Sequence, residues 1–285
     1  MGILKTLAKG FRTALKTWKV IIYLWLANFI FSILVVTPFY FLLGKDFSRS
    51  LMGDQVAKGF DLVWFGDLIY KYKNFYPAFL GWFLVPAIFF LFIFIFLNGG
   101  ILGRIAHPQE RVNPQNFFAD CGKYFFRFFR VFLISLAGYL VVFGLIFRGV
   151  SALFRLWTDQ ASTEWPLIFA SNLKFLTMIL LFSAVRMFFD YVRVRLVMEQ
   201  SKKALRATVL NFSFLGKKFG RAWILYLMVA VLGIIFWVIY LVFSRLLTSI
   251  GLVFVVAFIW QQIYILSRMW IRVLFFSTEY HFFKS

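Results

Sequence analysis

Six stretches of this chain are long and apolar enough to cross a bilayer: Val20–Leu43, Phe79–Gly103, Val131–Val150, Leu167–Val185, Ala222–Phe243 and Ile250–Leu266. A transmembrane helix needs about 20 mostly apolar residues. Inside lipid, each backbone amide must find its partner within its own helix or within a closed barrel. The six runs therefore predict an all-α, polytopic membrane fold. Of the 285 residues, 62% are hydrophobic and 15% charged, against about 45–50% and about 25% in soluble domains. An ordinary globular enzyme and a disordered chain are both excluded.

The formal charge is +20, which in a soluble chain would suggest nucleic acid. Here the bases flank the apolar runs, where cytoplasmic lysines and arginines sit and meet anionic headgroups, so no nucleic-acid partner is expected. Of the 31 Lys and Arg, 22 lie in the N-terminal arm, the loops after spans two and four, and the tail; 9 lie elsewhere. That bias places both termini in the cytoplasm. The first apolar run follows a charged segment without a small-residue cleavage site, so it reads as a retained anchor. The outer loop, residues 44–78, balances its bases with Asp46, Asp54, Asp61 and Asp67. Trp64, Phe65, Ile69 and Tyr70 suggest an interfacial cap there, with a substrate lid as the alternative. Ser151–Pro166, carrying Trp157 and Trp165, reads as a second outer loop at the aromatic belt.

Lys5, Lys9, Arg12, Lys16 and Lys19 recur at spacings of 4, 3, 4 and 3, with Leu4, Leu7, Ala8, Phe11, Leu15 and Trp18 on the other side. This pattern predicts an amphipathic helix lying in the bilayer surface. Asn116, Asp120, Lys123, Arg127 and Arg130 repeat the polar positions 111 residues later, and Lys202 to Arg221 forms a third copy interrupted by Phe214-Leu215-Gly216. Arg104, Arg186 and Arg268 are 82 residues apart each time, at the inner ends of spans two, four and six. We read one membrane domain over 1–285 with three repeat-like units, approximately 1–104, 111–186 and 200–268, each a surface helix followed by a helical hairpin.

Polar chemistry is sparse within the spans. Asn28, Ser32, Ser135, Ser183, Gln261 and Gln262 are the candidates for burial, as helix-packing groups or as the lining of a cavity. Asn98-Gly99-Gly100 with Gly103 contains a small-xxx-small pair suited to close helix packing. The richest cluster follows span four: Arg186, Asp190, Arg193, Arg195 and Glu199. Asp190 is four residues from Arg186 and able to pair with it. Were the repeats arranged about an axis, Arg104, Arg268 and the nearby Arg272 would join this cluster, with Asp190 tying the arginines together. The excess guanidinium charge would hold lipid phosphates. The competing reading is ordinary interfacial arginines.

The lone Cys121 excludes an intrachain disulfide, and His107 and His281 form no ligand cluster, so neither metal nor cofactor is expected. No Gly-x-Ser-x-Gly, phosphate-binding Gly-rich loop or His-Glu-x-x-His is present, so no enzyme activity is expected.

Phe189-Asp190-Tyr191-Val192-Arg193-Val194-Arg195-Leu196, Lys203-Ala204-Leu205-Arg206 and Phe219-Gly220-Arg221-Ala222, with the Asn98-Gly99-Gly100 turn, carry a resemblance. The chain resembles uncharacterised prokaryotic six-span membrane proteins similar to the membrane domain of glycerophosphodiester phosphodiesterases. In that group hydrolysis belongs to a separate soluble barrel, for which this sequence has no residues. The resemblance implies a membrane module of the prokaryotic inner membrane with a lipid-related role. The expectation is a lipid-contacting structural or accessory subunit, with anionic phospholipids and an unidentified membrane partner or second copy as its neighbours. The alternative is a permease or lipid transporter with a cavity between hairpins.

Overall fold

The computed structural model describes residues 2–47, 66, 70, 76–110, 112–159, 163–247 and 253–285. Among these residues the chain is helical and contains no strand. The helices are α1 (Ile3–Lys16), α2 (Trp18–Phe47), α3 (Tyr76–Ala106), α4 (Pro114–Val141), α5 (Phe147–Thr158), α6 (Trp165–Met198), α7 (Ala204–Leu247) and α8 (Val253–Phe283), with a π-helical turn, Val142–Ile146, joining α4 to α5. Among the described residues, five helical segments are long and apolar enough to cross a membrane: Trp18–Thr37, Leu84–Ala106, Pro114–Leu156, Trp165–Met198 and Ala204–Leu246. The sixth expected run begins outside the described residues, and its remainder, the first half of α8, is not among the five. The expected interfacial cap at residues 44–78 also falls largely outside the described residues.

The chain forms two units, Met1–Ile22 with Ile95–Ser285, and Tyr23–Phe94. In the second, Phe31 of α2 meets Phe89 and Phe90 of α3, with ring centroids 6.3 and 4.9 Å apart. Ile33, Leu34, Val36, Leu84 and Val85 are exposed there, as expected of surfaces that face lipid rather than water.

Buried side chains of the first unit gather at the helix ends that carry the basic loops. They come from the last turns of α3 (Ile101, Leu102, Ile105), the first half of α4 (Phe117, Tyr124, Phe128), the end of α6 (Met187 to Val197), the middle of α7 (Ala222, Leu225, Val229) and the end of α8 (Val273, Leu274, Phe276). The opposite halves of the same helices expose Leu140, Leu145, Phe175, Ile179, Ile234 and Ile259. The 44 residues of α7 extend about 66 Å at 1.5 Å per residue, twice the hydrocarbon thickness of about 30 Å, so this helix is longer than one crossing requires. At the packed end, burying a phenylalanine such as Phe117 or Phe128 contributes roughly 1.5–3 kcal/mol.

Three expectations are corrected. The surface helices of the second and third copies are not separate elbows: α4 and α7 run unbroken into the spans they precede. No proline interrupts either, and a glycine such as Gly216 costs a helix only about 1 kcal/mol. Only α1 ends before its span, at Thr17. Ser151–Thr158 is helical rather than loop, because α4, the π turn and α5 form one continuous segment. Finally, α1 packs mainly through the small residues between its stripes: Thr6, Gly10 and Ala14 are buried. Leu7 and Phe11 of the apolar side reach the core and the Trp270 ring (centroids 5.1 Å apart), and Leu4, Leu15 and Trp18 are exposed. Gly10 lies so close to Thr278 of α8 that a Cβ there would stand 2.9 Å from the Thr278 Cα. Helices approach that closely only where side chains are small.

Candidate functional site

Asn113 opens α4 by accepting the Asn116 amide at 2.8 Å, with Pro114 in the first turn. The helix then lies directly on the last turns of α3. A Cβ on Gly99 would be 3.1 Å from the backbone oxygens of Asp120 and Cys121, and one on Gly100 would be 2.5 Å from Cys121 Sγ and the Phe117 ring. At Gly103 the missing side chain is replaced by the Asp120 carboxylate. Arg104 donates to Asp120 Oδ2 from Nε at 2.7 Å and from Nη2 at 2.5 Å, and to Glu110 Oε2 from Nη1 at 3.0 Å. Asp120, expected on a solvated face, is instead 6% exposed and bound to Arg104. One guanidinium faces two carboxylates here, so Arg104 is consumed locally and has no positive charge to spare.

The remaining cluster divides again. Arg195 is 8% exposed, donates to Glu199 Oε1 at 2.9 Å, and stands over the rings of Phe283 and Phe214 at 5.0 and 5.8 Å. Its ion pair closes the end of α6, and its two cation–π contacts join α6 to α7 and α8. Asp190, 6% exposed, accepts from Arg193, three residues on, and not from Arg186 or Arg104. Arg186 lies within electrostatic reach of Asp190, Glu279, Tyr139 and Tyr226, yet its side chain is exposed. Arg268 is exposed as well. Arg272 is half-buried and donates from Nε at 3.1 Å and Nη2 at 2.5 Å to Asn98 Oδ1.

These residues form a site in which four guanidiniums, Arg186, Arg193, Arg268 and Arg272, face two carboxylates, Asp190 and Glu279. Burial and the charges of Arg186, Arg193 and Arg268 press Arg272 well below the usual arginine range, with Asp190 opposing them. Arginine nonetheless keeps its proton in proteins, so Arg272 stays charged. Burial and the Asp190 carboxylate push the Glu279 carboxyl well above the usual carboxylate range, against the pull of Arg193 and Arg186.

The other sequence candidates stand elsewhere. Ser135 is buried and donates to Phe132 O at 2.6 Å; Ser183 donates to Leu180 O at 2.8 Å and accepts from Trp223 Nε1 at 3.1 Å, tying α6 to α7. The Ser135 bond stays within α4. Ser32 and Gln261 are exposed rather than buried, and Asn28 and Gln262 are half-buried. Asn28 belongs to the second unit, where its carbonyl accepts from Ser32 at 2.8 Å.

Nothing in the sequence pattern singles out Glu279, Tyr139 or Tyr226. Glu279 sits in Ser-Thr-Glu-Tyr-His, a polar stretch that reads as a solvated tail. The only hint was the helical spacing of Leu274, Thr278 and Phe282 beside it. Among the described residues, no group of three or more His, Cys, Asp or Glu could hold a metal ion. Comparison with protein-family models, with curated proteins and with solved structures found no match.

Proposed function

We propose that this chain is a non-enzymatic, multi-pass protein of a prokaryotic cytoplasmic membrane that holds the phosphates of anionic lipids at its basic inner end, as a structural or accessory subunit. The reading includes six crossings, with the first half of α8 as the sixth, and both termini in the cytoplasm. The resemblance to the membrane domain of glycerophosphodiester phosphodiesterases belongs to the same proposal, without its hydrolytic activity.

One observation carries it. Arg186 and Arg268 are exposed at the level where the exposed apolar halves of α6 and α8 give way to the packed end, while Asp190 is already engaged by Arg193. A phospholipid offers acyl chains to the apolar surface and a phosphate to the guanidiniums, whose fork suits bidentate contacts. The exposed Leu4, Leu15 and Trp18 beside the lysines of α1 suit the same interface.

The test is native mass spectrometry of protein extracted in mild detergent. Arg186→Ala/Arg268→Ala should retain several-fold less phosphatidylglycerol than wild type, whereas Lys284→Ala, outside the cluster, should retain the wild-type amount. Equal retention by all three would overturn the proposal.

A further inference from the structure

Glu279 is 2% exposed, and neither carboxyl oxygen has a hydrogen-bond partner. An ionised carboxylate in that position would give up its hydration and receive no donor in exchange, and a group so placed neutralises instead. The guanidinium best able to rescue it, Arg193, is already committed to Asp190.

The groups around Glu279 come from every helix packed on α8. From α6 come Asp190, Arg193, Arg186 and the buried, unpartnered Tyr191 hydroxyl. Tyr226 comes from α7. The face of α1 packed on α8 is Thr6, Gly10 and Ala14, and the α1 residues that approach the end of α8 with polar groups, Thr13 and Lys9, act on His281. Asn98 of α3 is occupied by Arg272. Within α8 itself His281 stands two residues on and Arg272 seven residues before. Arg193 and Arg186 favour ionisation of Glu279; burial and Asp190 oppose it.

We propose that Glu279 is a proton-binding site that carries its proton at neutral pH and thereby regulates anion binding by the neighbouring arginines. With the proton in place, Asp190 alone offsets Arg186, Arg193, Arg268 and Arg272, and the site presents its full excess of positive charge to a phosphate. Loss of the proton puts a second carboxylate among the guanidiniums and weakens that attraction. The regulatory half of this inference rests on the lipid-phosphate reading above; the proton site does not.

Isotope-edited infrared spectroscopy tests it without any variant. The chain contains four glutamates, Glu110, Glu164, Glu199 and Glu279. The first and third are ion-paired with side chains 52% and 41% exposed, and Glu164 is exposed. In full-length protein labelled with 13C-glutamate, a protonated-carboxyl carbonyl band at pH 7 therefore reports Glu279, and Glu279→Gln should remove it. Raising the pH should convert the band to carboxylate bands. Over the same range wild type should lose several-fold in retention of phosphatidylglycerol, measured beside inorganic phosphate to separate a lipid from a free anion, while Glu279→Gln keeps its retention.

Absence of the band at pH 7 overturns the proton site. Retention that ignores the band's titration, in a protein whose Arg186→Ala/Arg268→Ala variant does release lipid, overturns the regulation. If that variant releases nothing, the lipid-phosphate reading is what fails, and the infrared band still decides the proton site.

Discussion

The side-chain oxygen of Asn98 accepts from two nitrogens of Arg272, 174 residues away, so that the last turns of α3 fix one guanidinium of the α8 cluster in place. The amide does this without adding negative charge. Asn98→Ala removes the acceptor and leaves Arg272 pressed by burial and its arginine neighbours; a hydrogen bond to a charged group contributes about 1.5–3 kcal/mol, and the variant should lose that much in detergent unfolding. Asn98→Asp separates stability from function. It keeps the acceptor and adds a compensating charge, so it should unfold no earlier than wild type yet retain less phosphatidylglycerol. A stable Asn98→Asp with wild-type retention would show that the cluster's net charge does not govern binding.

Gly103 occupies the place where Asp120 reaches Arg104, and a Cβ there would run into that carboxylate. Gly103→Ala should cost about 2–4 kcal/mol, combining overpacking with disturbance of a buried ion pair. Gly100→Ala meets the Phe117 ring and should cost about 1–3 kcal/mol. Gly122, in the adjoining helix, has nothing within 4 Å of the same added atom. Gly122→Ala should therefore stabilise α4 by up to about 1 kcal/mol, the propensity difference alone. Thermal unfolding of the three variants, compared by midpoint, checks the order.

The contrast among these glycines marks how far the sequence reading reached. Asn98-Gly99-Gly100-x-x-Gly103 announced small residues on a helix face, and the apolar runs announced long helices; both are local patterns. What the pattern could not carry was partnership. Arg104, Arg186 and Arg268 are evenly spaced in the sequence, but only Arg104 has an aspartate opposite a glycine, and that depends on the seating of α4. Asp190 has arginines at both three and four residues' distance on one helical face, so spacing alone could not choose Arg193. Glu279 is buried only because the end of α8 folds beneath α1 and against α6, a long-range event invisible in a short polar tail. On α1 the lysine and leucine stripes are the visible pattern, while Thr6, Gly10 and Ala14, which are its buried residues, carry weak hydropathy signals.

That contact has a pH dependence. Thr13 Oγ1 of α1 is 2.8 Å from His281 Nε2, and burial, with Lys9 and Lys284 nearby, pushes His281 below its ordinary pKa of 6.5. Docked α1 thus favours neutral imidazole. Well above pH 6.5 the histidine is neutral whether α1 is docked or not, and its contribution is constant. As pH falls below that value the undocked form takes up the proton first, so docking weakens until the depressed pKa is passed. Tryptic cleavage at Lys5, Lys9, Arg12 and Lys16, measured on protein equilibrated between pH 7.5 and 5.5 and pulsed briefly, should rise on the acid side. His281→Gln, which cannot take up that proton, should flatten the profile. A wild-type profile as flat as the variant's would exclude the histidine as its cause.

The orientation of the helices can be tested with the chain's own chemistry. Cys121 is 0% exposed and should stay silent toward a membrane-impermeant maleimide, so added cysteines can be read against the native background. The bases gather at the end where α1, the α3–α4 turn, the α6–α7 turn and the end of α8 meet, and cytoplasmic loops hold such bases because their translocation is unfavourable. Ser285→Cys should therefore label only after the inner membrane is opened. Thr163→Cys, exposed between α5 and α6, should label in intact spheroplasts. Both residues reacting from the same side would require an even number of crossings between them, instead of the three that α6, α7 and the first half of α8 supply. Labelling of Ser285→Cys in intact cells would invert the whole arrangement and put the arginine cluster at the outer leaflet.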